Sequence, residues 1–159
     1  NNVTLELKTI DFNGKVLSKE NIKGDIKANS SALFHKVDFN AMAKSPRNSL
    51  LVMTLKDKSG KIINKDQYYF NYPKDLDLPK AKIETTLKKK DGEYVMTIKS
   101  NSLAKDLFIE VPVQGARFSD NFFDLLPNET KVVTIKSDKL KKDGNVEIKL
   151  HQLSDTIEK

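Results

Sequence analysis

The chain has 159 residues, 38% of them hydrophobic and 31% charged, which excludes a disordered polymer and leaves room for one domain or two small ones. It carries no cysteine, so disulfides, zinc-thiolate sites and thiol nucleophiles are excluded together. The net charge of +6 arises from 28 basic against 22 acidic side chains that alternate along most segments; it reads as solvated strand faces, and no nucleic-acid partner is expected.

No apolar run approaches the ~20 residues of a membrane helix, so no membrane span is expected. The start, Asn1-Asn2-Val3-Thr4, lacks the basic and apolar regions of a signal peptide and an initiator Met, so the chain reads as an excised piece of a longer one.

Val3, Leu5 and Leu7 alternate with Thr4, Glu6 and Lys8, which predicts a strand with one buried face. Asn13-Gly14 predicts a hairpin turn, because both residues accept positive φ. Val16 and Leu17 lead the chain back, and Ile22, Gly24 and Ile26 predict a short, weak strand. After Asn29-Ser30-Ser31, the run Ala32 to Phe39 predicts a strand with Leu33, His35, Val37 and Phe39 on one side. Asn40 to Lys44 is the one helical piece expected, capped by Asn40 and ended before Pro46. Leu50 to Asp57 is a near-continuous apolar strand, and Ser59-Gly60 turns it into Ile62-Ile63 and then Tyr68-Tyr69-Phe70. The two turns share similar surroundings and predict hairpins of one design.

Tyr72 to Pro79 breaks the pattern, since its two prolines remove ladder donors and suit a stiff, extended connector. A domain boundary is placed here, giving domains 1–78 and 79–159. The second begins with Ala81 to Leu87, the Asp91-Gly92 turn and Tyr94 to Ile98, then Leu107 to Val111. Further on, Val132 to Ile135 is followed by the Asp143-Gly144 turn and Val146 to Leu153. Short strands at regular intervals, with no useful helical pattern, predict an all-β chain of antiparallel sandwiches.

Between those strands lies the densest mixture of apolar and turn-forming residues, Val111 to Glu129. It reads as two short strands meeting at a corner. Ser119, Asp120 and Asn121 supply short polar side chains for nearby backbone groups, and Phe118, Phe122, Phe123, Leu125 and Leu126 supply apolar surface on both sides. Pro127 and Asn128 then punctuate before the next strand.

Phe118-Ser119-Asp120-Asn121-Phe122-Phe123-Asp124-Leu125-Leu126-Pro127-Asn128-Glu129 resembles the signature of the C-terminal immunoglobulin-like domain of glycoside hydrolase family 2 β-mannosidases. It departs at Asn128, where that family usually has Gly; Asn is the next most tolerant residue of positive φ. Asn71 to Pro79 is similar to the family's connector between its two C-terminal immunoglobulin-like domains, and Ile148 to Asp155 to its closing strand. The first half resembles the preceding sandwich less specifically, through Asp11 to Leu17 and Ile26 to Ser31. The resemblance implies two consecutive immunoglobulin-like antiparallel β-sandwiches, the first lacking its opening edge strand.

The resemblance further implies a longer chain that hydrolyses terminal non-reducing β-D-mannose residues of β-mannosides with retention, on glutamates of an upstream (β/α)₈ barrel. That barrel, the carbohydrate substrate of the longer chain and a homo-oligomer contact are the expected partners, and a periplasmic or secreted location is favoured for the whole. A retaining glycosidase needs two carboxyl groups about 5–5.5 Å apart, and nothing in this sequence arranges them. The present residues are expected to contain no catalytic residue, cofactor or metal site and to act as a structural, interdomain region.

The alternative is a non-catalytic carbohydrate-binding module. Tyr68, Tyr69, Phe70 and Tyr72 form an aromatic cluster, from which Tyr69 and Tyr72 are the candidate sugar contacts, although packing against a core explains such a cluster as well. His35 and His151 lie far apart in sequence with too few further donors for a metal site. Asp120 and Asn121 suit a cation or a sugar hydroxyl, but turn formation is sufficient to account for them. Lys88-Lys89-Lys90 reads as a charged hairpin end that keeps an edge soluble. Asn2, Asn29 and Asn128 start N-x-S/T triplets, which carry no meaning outside a eukaryotic secretory context.

Overall fold

The computed structural model describes residues 2–27, 29–30, 33–90, 93–137 and 147–157. It divides into two compact units, Asn1–Asp77 and Leu78–Lys159. The expected turns at Asp91-Gly92 and Asp143-Gly144 lie outside the described residues.

The first unit is built on four antiparallel strands, β1 (Asn2–Asp11), β2 (Val16–Asp25), β3 (Ser49–Asp57) and β4 (Ile62–Tyr69), in the order β2-β1-β3-β4. Two hairpins of one design join them. Gly14 and Gly60 sit at φ 93° and 86°, each donating its N–H to the carbonyl of the aspartate three residues earlier. Asp11 Oδ1 accepts the N–H groups of Asn13 and Lys15, and Asp57 Oδ1 those of Ser59 and Lys61. Asn13 keeps negative φ, so the glycine alone takes the left-handed position.

Four expectations need correcting. β2 is one ten-residue strand rather than a short piece at Ile22, because β1 pairs with it from Asn2 to Ile10. Ile62-Ile63 and Tyr68-Tyr69 likewise belong to the single strand β4. Residues 33–38 form no strand. Their backbone crosses the sheet as a strap, its Phe34 ring seated on Gly24 and its Phe39 ring stacked on Tyr68 at 4.3 Å and 23°. The helix α1 (Phe39–Met42) that ends the strap is capped by Asp38, whose carboxylate accepts from Asn40 and Ala41 N–H, and not by Asn40.

The strap explains Gly24. A Cβ there would lie 2.5 Å from Phe34 Cε2 and 2.8 Å from Cζ. Gly24→Ala is therefore expected to displace the ring and destabilise the unit by about 1–3 kcal/mol. Thermal melts and limited proteolysis within residues 33–38 measure it; an unshifted melt would mean that the strap carries no stability.

Register places Val3, Leu5, Leu7, Thr9, Leu51, Met53 and Leu55 on the strap face. At one end of the opposite face, Ile10, Leu50 and Tyr69 sit together with Phe12, which is wholly buried at 6.4 Å from the Tyr69 ring. Leu50-Leu51-Val52 is apolar throughout because both faces are covered there.

Beyond β4, Pro73–Asp75 form one 3-10 turn where an extended connector was expected, since Pro73 supplies its first residue. Asp77 is tied back within the unit: its N–H donates to the Arg47 carbonyl at 2.8 Å, and the Arg47 guanidinium donates to both its carboxylate oxygens at 3.0 and 3.3 Å.

The second unit is a sandwich. One sheet orders β5 (Ile83–Lys90), β6 (Glu93–Ser100), β10 (Thr130–Lys136) and β8 (Arg117–Phe118) as β5-β6-β10-β8. The other orders β7 (Ala104–Glu110), β9 (Phe123–Leu125) and β11 (Lys149–His151) as β11-β7-β9. Tyr94, Met96 and Ile98, Val133 and Ile135, Leu107 and Ile109, and Phe123 and Leu125 alternate inward to form its core. The last strand is shorter than expected. After His151 the buried Gln152 donates to the Ala81 carbonyl at 3.1 Å, clasping the start of the domain, and Leu153–Asp155 coil into a 3-10 turn.

Candidate functional site

The corner from Arg117 to Glu129 is held by several side-chain hydrogen bonds. Ser119 N–H donates to the Thr134 carbonyl, and its Oγ accepts from Thr134 N–H, both at 2.9 Å. Asn121 Oδ1 accepts from Ile109 N–H at 2.8 Å while its Nδ2 donates to the Ile109 carbonyl at 3.0 Å. Leu107 pairs with Phe123 on β9, so Ile109 is the next residue in register and Asn121 the next position opposite. The amide of Asn121 therefore completes a rung of the ladder after the backbone has left it.

Asp124 Oδ1 accepts from Asp106 N–H at 2.8 Å, holding the bulge between Ala104 and Leu107 where Asp106 adopts φ 50°. Lys105 Nζ lies 3.2 Å from Asp106 and 3.5 Å from Asp124. Asp120 pairs with Lys131 at 2.6 Å, and that ammonium stands 4.2 Å from the Phe123 ring centroid. Pro127 precedes Asn128 at φ 61°, the pattern of a type II turn, closed by Glu129 N–H on the Leu126 carbonyl. The polar residues of the corner thus bond backbone and charges distant in sequence more than their own turn.

The apolar residues divide. Phe123, Leu125 and Leu126 are buried and Phe118 is half-buried, but Phe122 is 69% exposed at φ 58°. Its ring stacks on Phe108 at 4.5 Å, and Phe108 lies 6.1 Å from His151, which bonds Glu110 at 2.7 Å. Sequence reading missed Phe108 and Glu110; the alternation of β7, which turns Leu107 and Ile109 inward, was the available signal.

Tyr69 and Tyr72 differ in exposure. Tyr69 is half-buried beside Phe12, whereas Tyr72 is 75% exposed. The cluster's other rings contact one another: Tyr68 stacks on Phe39 and meets Phe70 edge-on at 5.9 Å. Among the described residues, no group of three His, Cys, Asp or Glu side chains is placed to hold a metal ion, and no helix is long and apolar enough to cross a membrane.

In the first unit Glu6 is the central carboxylate, 2.8 Å from Lys19 and 3.3 Å from Lys56 with its side chain 13% exposed. The Lys19 hydrogen bond, aided by Lys56 and opposed by burial, holds its carboxyl below the ordinary value of 4.5. A folded pKa below the unfolded one contributes stability that is present above pH 4.5 and lost as pH falls through the folded value. Glu6→Gln is expected to flatten the acid limb of stability against pH, measured as urea midpoints; an unchanged slope would mean the pair carries none of it.

Antiparallel sheets on an alternating core, closed by a corner whose side chains replace ladder bonds, define an immunoglobulin-like β-sandwich protein. Residues 1–75 match the model of the Mannosidase Ig/CBM-like domain and residues 78–156 that of the Ig-fold domain of mannosidases. The chain belongs to these two mannosidase immunoglobulin-like families, as the corner and connector implied. It is similar in fold to the β-D-mannosidase of Dictyoglomus thermophilum, at 21% identity and a TM-score of 0.66 over 96% of this chain and 18% of that one. An exo-chitosanase of Amycolatopsis orientalis is similar at 17% identity and a TM-score of 0.59, over 96% of this chain and 23% of that one. The chain thus spans about a fifth of the length of these structures. No curated protein matches it.

Proposed function

We propose that these two domains are the C-terminal accessory region of a β-mannosidase whose intact chain removes terminal non-reducing β-D-mannose residues with retention. Their role is structural: they support an upstream catalytic barrel or a subunit contact. The observation that carries this reading is the corner, where Ser119, Asn121 and Asp124 spend their side chains locking backbone of β10 and β7. Domain matches over nearly the whole chain and likeness to a much longer β-mannosidase support it.

The test compares the intact longer chain with residues 1–159 alone on p-nitrophenyl β-D-mannoside, following the anomer released by NMR. The longer chain is expected to turn over with retention and the isolated region to be inert, with no heat on calorimetric titration with β-mannosides. An inactive longer chain would refute the mannosidase assignment. Heat of defined stoichiometry from the isolated region with β-mannosides would refute this reading and establish a β-mannoside-binding module.

A further inference from the structure

The strand lysines of the first unit are segregated. All five in its strands, Lys8, Lys19, Lys23, Lys56 and Lys65, project from the face opposite the strap: Lys8 pairs with Lys19, Thr4 with both Lys23 and Lys56, and Thr54 with Lys65. The strap face carries no strand lysine, and Glu20 and Asp66 stand there, opposite Leu7 and Met53. Against the five cations stand Glu6, enclosed between Lys19 and Lys56, and Asp25 at the end of β2. Lys8 and Lys23 meet no carboxylate among the described residues.

The alternation of four sequence-distant strands produces this asymmetry, which composition conceals. Strands lie about 4.8 Å apart and same-face residues about 6.8 Å apart along a strand, so the ammonium groups form a net on that scale. Thr4, Asn21 and Gln67 share the face and supply hydroxyl and amide groups between the cations. The ring on this face, Tyr69, is turned toward Phe12, so no aromatic stands between the lysines for a nucleobase to stack on. At one end of the sheet lies a half-open groove of about 440 Å³, lined by Thr4, Lys23 and Lys56 of this face and by Val3, Gly24 and Asp57 of the other, among others. That volume lies in the range of small-molecule sites.

We propose that this face binds an acidic polysaccharide, an extended chain of uronic-acid residues whose carboxylates meet the lysines and whose hydroxyls meet Thr4, Asn21 and Gln67. The charge complementarity selects an anionic ligand; the choice of a glycan over another polyanion rests on the β-mannosidase assignment proposed above, which attaches these domains to a carbohydrate-active enzyme, and it adds a binding role to the structural one.

The test is calorimetric titration of the 159-residue chain with oligogalacturonate, a neutral mannan oligosaccharide and a DNA duplex in separate arms. Oligogalacturonate is expected to bind, more weakly as salt rises. Lys8→Gln and Lys23→Gln should each weaken binding by roughly two- to fivefold, Lys23→Arg should retain it, and Lys88→Gln, equally basic but in the other unit, should leave it unchanged. Matching melting curves establish that the variants fold. Absence of heat with oligogalacturonate, equal or tighter binding of DNA, or an equal loss from Lys88→Gln would each overturn the proposal. None of these results alters β-mannoside turnover by the longer chain, so the failure of this site and of the assignment above are read separately.

Discussion

Asn121→Ala is expected to destabilise the second unit by about 3 kcal/mol, because besides its bond from Phe122 N–H it removes two hydrogen bonds to Ile109 worth about 1 kcal/mol each and strands the polar groups of that fully buried residue. In a domain of this size that lowers Tm by roughly 12–24 °C. Asn121→Asp separates the two bonds. Its carboxylate still accepts from Ile109 and Phe122 N–H but sets an acceptor against the Ile109 carbonyl, so the variant should keep the first bond and lose the second. Calorimetric melts measure both. An Asn121→Ala melt that overlays the parent's would show that the amide is not a rung of the ladder.

Phe12→Ala is expected to cost the first unit about 3–5 kcal/mol, since the ring is wholly buried and little around it can close the cavity. Its N–H donates to the Asn48 carbonyl at 3.1 Å, so the backbone stays fixed around the gap. Phe122→Ala, by contrast, should change stability by no more than about 0.5 kcal/mol, as expected of an exposed position. Urea unfolding of the two variants provides the comparison, and equal losses would contradict it.

That pair marks where sequence reading ran out. Phe12 lies inside an Asp-Phe-Asn-Gly-Lys turn and Phe122 inside the apolar corner, so local sequence ranks their burial the wrong way round. Ile10 and Phe12 fall on one face of β1 and its extension, and Leu50 and Tyr69 cover them only after β3 and β4 have paired. Phe122 is turned out by its left-handed backbone, which no residue type announced. Ala32 to Phe39 alternated like a strand, yet residues 33–38 join no ladder, and the seat for Phe34 exists only because Gly24 lacks a side chain.

By itself the sequence determined the all-β class, the hairpins at Asn13-Gly14 and Ser59-Gly60, the positive φ of Asn128 and the family, because these rest on alternation, backbone sterics and a contiguous motif. Only the tertiary structure decided which partners the corner's side chains take, that segment 33–42 straps the first sheet, and that five scattered lysines share one face. Each of those depends on register between strands far apart in the chain, and register is fixed by the simultaneous burial of apolar positions on several strands, which no local stretch encodes.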